Sequence, residues 1–503
     1  MATDSLKSIV PVIKTIDERN VCILSEPKCE MVYASVTLRG GYYTETNPAH
    51  LGITHLIEHI LFESWKKCYM TSQSKTNINI KIKTNAKTRK TAKTIKAKAV
   101  AGPKKSCLHF WNNRPVEYNG RTDSQHVTAY MYGLASESKN IADYITQMIC
   151  SCKTHLNLKL LAHIKNTVLN EMTAAQTNSM QKLEYELMSR HITPKLSDAS
   201  SGALHIGNAT LQIENLRKLT PEHIRDYYYR FFIPENAVFL YSGCITEHQV
   251  RATIASHLSH SHSHSPSPSP SPSLSLSLSK RRNIRARGVT FEPSRMFTRQ
   301  FLDPGPGKGV IKTVVKDPSV KNSALFMIIF PMKQVLGDKE SIVDMARTSQ
   351  ILTSVVSREL MELLRMEHNL VYGVNAGCAT STGINMFRIF GSCLHSNVEL
   401  VIELCISYVR ERQQKRVPES ILEAEKGKFK MVTHVSSYSL VSISNFFERM
   451  IALSMISRHP TSTLHLGSYD ASVKQVDRIT ASDIRDYFKR IRVSKAVTGF
   501  SVA

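Results

Sequence analysis

One turn of helix carrying His, Glu and His at the spacing HxxEH can hold a metal ion with a base beside it. Residues 55–59 have that spacing: His55-Leu56-Ile57-Glu58-His59. At about 100° per residue, His55 and His59 lie about 40° apart, so both imidazoles point the same way and can share one ion. Glu58 falls about 60° to the other side of His55, close enough to touch a metal-bound water without being a ligand. Ile53, Ile57, Ile60 and Leu61 gather on the opposite face, so the helix buries one stripe and offers the other to a cleft. The chemistry implied is zinc-dependent hydrolysis. The alternative is an exposed amphipathic helix with two incidental histidines. A chance HxxEH arises about 0.04 times in a chain of this length and histidine content, so the motif has weight but needs company.

Two histidines and a base leave zinc short of a third protein ligand. A carboxylate 112 residues beyond His59 is a candidate, in Ile164-Lys165-Asn166-Thr167-Val168-Leu169-Asn170-Glu171-Met172. That run reads as a helix with Leu161, Ile164, Val168 and Met172 on one stripe and Glu171 at its rim. A carboxylate at a core margin is solvated, paired or bound to a cation.

Gly52-Ile53-Thr54-His55-Leu56-Ile57-Glu58-His59-Ile60-Leu61-Phe62 resembles the active-site helix of the pitrilysin/insulinase family of inverzincin metallopeptidases, which includes the two-domain mitochondrial processing peptidase. Ser35 to Tyr42, with Gly40-Gly41, resembles the strand and glycine turn that lead into that helix. Val168 to Met172 resembles the segment bearing the third zinc ligand, which the resemblance makes Glu171. Asn119-Gly120-Arg121-Thr122, followed by Val127-Thr128-Ala129-Tyr130, resembles the edge strand that binds substrate, implying contacts from Asn119 and Thr122. Leu364-Arg365 to Val371-Tyr372 resembles the C-terminal motif in which an Arg and a Tyr seven residues apart contact substrate. Three positions depart from the family pattern. Gly120 replaces the usual Ala, and Asn112-Asn113-Arg114-Pro115 replaces a glycine pair. Ile164 stands where many relatives carry an acidic residue two turns before the third ligand. None of these removes a ligand or the base.

For His55 and Glu171 to meet, a fold must bring distant segments together, and 503 residues suffice for two cores. An internal repeat supports two. Leu219-Thr220-Pro221-Glu222-His223-Ile224-Arg225-Asp226-Tyr227-Tyr228 recurs 260 residues on as Ile479-Thr480-Ala481-Ser482-Asp483-Ile484-Arg485-Asp486-Tyr487-Phe488. Each copy opens with a helix N-cap pattern and is followed by a β-like run, Ala237–Tyr241 or Ala496–Phe500. The expected fold is α+β: two homologous domains, each a mainly antiparallel sheet packed with helices, joined by a low-complexity linker. The expected boundaries are 1–255 for the zinc domain, 256–288 for the linker and 289–503 for the C-terminal domain. Ser256 to Ser279 alternates Ser with His, then Pro, then Leu, a composition that cannot bury a core.

A basic insertion occupies about residues 64–106. From Lys66 to Lys105 there are 12 Lys and one Arg with no Asp or Glu, so this stretch carries +13 of the formal +24 charge. It reads as a solvated loop with a capacity for weak polyanion contact; with Trp65 and Tyr69 the only aromatics near its lysines up to Lys105, the composition argues against a base-stacking surface. Ten scattered cysteines without a CxxC fit reduced thiols rather than a disulfide framework. Residues 1–20 carry Asp4, Asp17 and Glu18 and lack an apolar signal core or an Arg-rich transit pattern. With no run of 18 apolar residues, the expectation is a soluble cytoplasmic protein rather than one of the mitochondrial matrix.

The resemblance implies a zinc metalloendopeptidase. His55, His59 and Glu171 would hold one Zn²⁺ per chain, and Glu58 would be the general base and then the acid. Tyr372 would support the oxyanion and Arg365 would anchor the peptide backbone. The open strand edge at Asn119–Thr128 would accept an extended substrate as an added strand. Relatives enclose substrate between two halves of this size, so Arg365 and Tyr372 would reach the zinc of a second copy in a homodimer, or a related subunit in a heterodimer. The rival readings are a catalytically silent structural or assembly subunit and a polyanion-binding protein acting through the insert.

Overall fold

The computed structural model describes residues 6–16, 19–45, 47–64, 111–123, 126–150, 158–176, 178–192, 209–233, 236–262, 310–320, 322–333, 342–379, 386–456 and 467–503. The basic insertion and the linker beyond residue 262 lie outside them.

The first half runs β1 (Val12–Ile16), β2 (Arg19–Ser25), β3 (Met31–Arg39), α1 (Ile53–Phe62), β4 (Val116–Thr122), β5 (His126–Leu134) and α2 (Ser138–Cys150). It continues through α3 (Leu161–Gln176), α4 (Ser179–Leu187), α5 (Ala209–Lys218), α6 (Pro221–Phe231), β6 (Ala237–Gly243) and α7 (Glu247–His262). The second half runs β7 (Ile311–Lys316), β8 (Ser323–Pro331), α8 (Ile342–Met361), β9 (Val371–Ala379), β10 (Met386–Leu394) and α9 (Val398–Gln414). Then come α10 (Glu419–Ser436), α11 (Leu440–Ile456), α12 (Tyr469–Lys474), α13 (Ala481–Lys489) and β11 (Val497–Val502).

Each half folds around one mainly antiparallel sheet, ordered β1-β2-β6-β3-β5-β4 in the first and β7-β11-β8-β10-β9 in the second. The orders correspond strand for strand once β1 is set aside. In each, the last strand of the half inserts in the middle, parallel to one neighbour (β2 or β7) and antiparallel to the other (β3 or β8). The α+β architecture expected from the repeat is therefore present. The repeated helices are α6 and α13, and both begin with a capping box. Thr220 Oγ1 accepts from His223 N at 3.3 Å and Thr480 Oγ1 from Asp483 N at 3.2 Å, each satisfying an otherwise unpaired amide.

The halves interlock by exchanging helices. α11 of the second half packs on β3 and β6 of the first sheet, where Leu440 fills the space beside Gly243. α4 of the first half packs on β8 and β11 of the second sheet, where Leu187, fully buried, lies against Gly499 so closely that a Cβ there would sit 2.5 Å from Cδ2. Polar contacts follow the same exchange: Arg388 pairs with Glu184, and His191 Nε2 lies 2.6 Å from Thr313 Oγ1. The core is correspondingly shared, since Leu24, Tyr33 and Leu240 of the first half belong to the cluster formed by α8, α9 and α11 of the second.

The boundary expected at Ser256 falls inside α7, which continues to His262. His257 Nε2 pairs with Asp143 Oδ1 of α2 at 2.7 Å, and the fully buried Ile254 anchors the preceding turn. These contacts hold the first residues of the Ser/His tract in helix. Among the described residues, no helix is long and apolar enough to cross a membrane.

Candidate metal centre

α1 carries the HxxEH residues and is enclosed more fully than its amphipathic pattern implied. Ile53, Leu56, Ile57, Ile60 and Leu61 enter the core of the first half, and Thr54 and Glu58 are buried as well. The reason is packing on several sides, by β4 and β5, by α3 and by α6. Only His55 and His59 keep part of their side chains open, at 18% and 23% exposure.

Those two imidazoles converge, with Nε2 atoms 3.3 Å apart. α3 lies alongside, with Leu161, Ile164 and Val168 buried and Glu171 at the rim of that stripe. Glu171 Oε2 sits 3.2 Å from His59 Nε2 and 3.6 Å from His55 Nε2. The three donor atoms fall within 4.8 Å of one another, and they are the one such metal-capable group among the described residues. Electrostatics favours the lone-pair-bearing forms that a metal needs. Burial, reinforced by His55, holds the His59 imidazole below its ordinary value. Hydrogen bonding to His55 foremost, then the charge of His59, pulls the Glu171 carboxyl below its ordinary range. Two imidazoles and one carboxylate, with Glu171 half-open to solvent, fit a zinc ion that keeps a fourth position free.

Glu58 points into the groove between α1 and β4. Thr122 Oγ1 donates to its Oε2 at 2.5 Å. Burial raises the carboxyl above its ordinary value, and His55 opposes the shift. The strand passes so close that a Cβ at Gly120 would stand 2.2 Å from Glu58 Oε1. The glycine at this position, a departure from the family pattern, is what lets the carboxylate lean against the strand backbone.

The open edge itself needs correction. β4 alone lies at the edge, because Val127–Tyr130 belong to β5, which is paired on both sides by β3 and β4. The expected edge at Asn119–Thr128 therefore ends at Thr122. Strand alternation puts Asn119 and Thr122 on opposite faces. Thr122 faces Glu58, whereas Asn119 Oδ1 folds back to accept its neighbour's amide, Gly120 N, at 2.8 Å. Ile164, standing where relatives carry an acid, is buried in the apolar core and gives the cluster no polar support.

Arg365 and Tyr372 lie in the other half. Arg365 Nη1 donates to the Tyr372 carbonyl at 2.5 Å, and the Tyr372 ring is exposed. Among the described residues no hydrogen bond or ion pair joins either of them to His55, Glu58, His59 or Glu171.

Sequence reasoning missed Glu45, Tyr227 and Glu448. Glu45 is buried and accepts Gly52 N at 2.8 Å and Thr54 N at 2.9 Å, at the start of α1. Burial pushes its carboxyl up to about 7, against the pull of those two amides. Tyr227, from α6, accepts a hydrogen bond from Thr54 Oγ1 at 2.9 Å. Glu448, from α11, accepts from Arg121 Nη2 at 2.8 Å and from Tyr33 OH at 2.7 Å, tying the second half to β4 and β3. The one available signal was at Gly52: an N-cap without a side chain leaves amides that something else must cap.

Residues 218–429 match the family model described as the peptidase M16 inactive domain. That match spans 212 of the 503 residues, and within it the chain is similar to the M16 peptidase family. A protease from Helicobacter pylori is similar in structure, with a TM-score of 0.65 and 12% identity, covering 98% of this chain and 100% of that one. A peptidase M16 inactive domain protein from Pseudomonas fluorescens has a TM-score of 0.64 and 13% identity, covering 98% of each chain. The periplasmic protease PqqL from Escherichia coli has a TM-score of 0.60 and 12% identity, covering 98% of this chain and 46% of that chain. At these identities the similarity shows a shared M16 fold. No curated protein matches the chain. The matched segment 218–429 begins after Glu171, so the M16 domain described as inactive excludes the whole HxxEH…E cluster.

Proposed function

We propose that this protein is a zinc metalloendopeptidase that cleaves extended polypeptides. The observation that carries the reading is the convergence of His55, His59 and Glu171 donor atoms within 4.8 Å beside a buried Glu58 and an open strand edge. A zinc ion bound by these three residues would supply Lewis acidity toward a water molecule and the scissile carbonyl. Glu58 takes the attacking water's proton at Oε1, since Thr122 engages Oε2, and delivers it to the departing amine. Its burial strengthens the carboxylate as a base. The free edge of β4, from Val116 to Thr122, accepts the substrate backbone as an added strand, which positions a peptide without demanding a particular sequence.

Arg365 and Tyr372 then act from a second copy of the chain. Among the described residues no hydrogen bond or ion pair joins them to the cluster of their own chain, which supports this arrangement, as does a chain spanning 46% of the length of PqqL. The resulting homodimer would have two shared sites.

The second reading is a catalytically silent member; the family model described as an inactive domain covers residues 218–429 and leaves the cluster outside it. One experiment separates the two. Metal content and peptide-library cleavage are measured for wild-type protein and for Glu58→Gln. The enzyme reading expects one zinc per chain in both, with Glu58→Gln slower by at least about 10²-fold, because an amide cannot accept the proton. Zinc without cleavage in the wild type supports the silent reading, and equal turnover in the two proteins refutes the role of Glu58.

A further inference from the structure

α1 has an N-terminal problem with an unusual solution. The first turn of any helix leaves its amides without partners inside the helix, and a side chain at the N-cap normally accepts one of them. Here the N-cap is Gly52, which has no side chain to offer and takes φ +87°, a left-handed conformation. Leu216 of α5 closes over it, so that a Cβ at this position would stand 3.1 Å from the leucine Cγ. Backbone and packing together keep Ser, Thr or Asp from the place where a cap would ordinarily sit.

The acceptor comes instead from seven residues upstream. Glu45 is 1% exposed, and its carboxylate forks across the helix start, Oε2 taking Gly52 N at 2.8 Å and Oε1 taking Thr54 N at 2.9 Å. These two amides, the Thr54 side chain and the positive end of the helix oppose the cost of burying a carboxylate there. The loop bearing Glu45 is itself held. Tyr42 N donates to the carbonyl of Asp123 at 3.1 Å, and Thr44 shares the buried Tyr227 hydroxyl with Thr54. A rigid loop thus grips the first turn of α1 through one carboxylate.

That turn contains His55, next to Thr54. Its neighbour His59 lies a turn deeper, where the helix's own hydrogen bonds fix it. An uncapped first turn frays first, and fraying would move His55 away from His59 and Glu171 while leaving His59 in place.

We propose that Glu45 is a positioning residue for the metal centre: by capping α1 from outside the helix, it holds His55 in register with His59 and Glu171. This rests on the zinc reading above. The test uses full-length protein and zinc alone, with affinity measured by competition against a chromophoric chelator and native fold checked by circular dichroism. Glu45→Gln keeps one acceptor oxygen and Glu45→Ala keeps none. The expected order of affinity is wild type, then Gln, then Ala, with a total loss of about ten- to a hundredfold. In peptide cleavage kcat should fall in the same order with KM nearly unchanged, because the β4 edge is untouched. Glu45→Ala protein that is natively folded and binds zinc within twofold of wild type would overturn the proposal.

Amide hydrogen exchange in the metal-free proteins supplies an independent readout. The Gly52 and Thr54 amides should be protected in wild type and lose at least about tenfold of that protection in Glu45→Gln. Unprotected amides in wild type, or unchanged protection in Glu45→Gln, overturn the cap even if the alanine variant fails to fold. Wild-type protein that binds no zinc yet shows protected amides would refute the zinc reading and leave the cap standing.

Discussion

Glu448 joins the two halves, and the structure allows the cost of removing it to be worked out. Its carboxylate, 1% exposed on α11, accepts Tyr33 OH from β3 at 2.7 Å and Arg121 Nη2 from β4 at 2.8 Å. Tyr33 is fully buried; burial first and Glu448 second raise its phenol well above the ordinary value, so it remains a donor. A buried hydrogen bond to a charged acceptor is worth about 1.5–3 kcal/mol. In Glu448→Ala, Tyr33 can turn to Asn445 Oδ1, 3.2 Å away, which returns about 1 kcal/mol. Arg121 is half-exposed and rehydrates, so losing its pair costs about 0.5 kcal/mol. The one methylene no longer buried adds about 0.8 kcal/mol, and release of a desolvated charge offsets roughly 1 kcal/mol. The expected net destabilisation is about 1.5 kcal/mol, read from the urea midpoint at constant slope. Double-mutant cycles then rank the partners. Coupling of Glu448 with Tyr33→Phe should be about 1–2 kcal/mol, and with Arg121→Met about 0.5 kcal/mol or less. A loss under about 0.5 kcal/mol, or a stronger coupling to Arg121 than to Tyr33, would refute this reasoning, since burial would then not decide the worth of the contact.

Burial also sets the thiols. It pushes Cys393 up to about 11 and Cys22 and Cys378 up to about 12, so at pH 8 at most about one thiol in a thousand is ionised at these positions. Native protein treated with iodoacetamide should leave all three unmodified at pH 8, with Cys393 reacting first as pH rises toward 11; peptide mapping that finds them alkylated at pH 8 contradicts their burial. The shared-site dimer is tested by complementation: Glu58→Gln and Tyr372→Phe proteins, each nearly inactive alone, should recover up to about a quarter of wild-type activity after random subunit mixing. No recovery despite demonstrated exchange would place Tyr372 outside the partner's site.

Much of the centre was legible from local spacing. Helical geometry alone puts His55 and His59 on one face, and the stripe of Leu161, Ile164 and Val168 leaves Glu171 at its rim, where the structure has it. The duplication was equally legible, because capping residues act within three positions of each other and so recur as the same short pattern at Thr220 and Thr480.

What the sequence by itself determined, then, is whatever depends on neighbours a few residues apart: the metal-capable turn, the repeated helix and strand, and the α+β class that follows. Tertiary structure alone decided the rest. Which strand of the Asn119–Tyr130 hairpin lies at the edge depends on pairing with β3, some 90 residues away, and no local pattern encodes it. The exchange of α4 and α11 between halves, the burial of Glu58 against Gly120 and the Tyr33–Glu448 contact, 415 residues apart, arise from packing two sheets together. Even the cap on α1 escaped the local rules. Glycine packing at residue 52 removed the usual acceptor, and only the folded loop brings Glu45 within reach of the two amides beside His55.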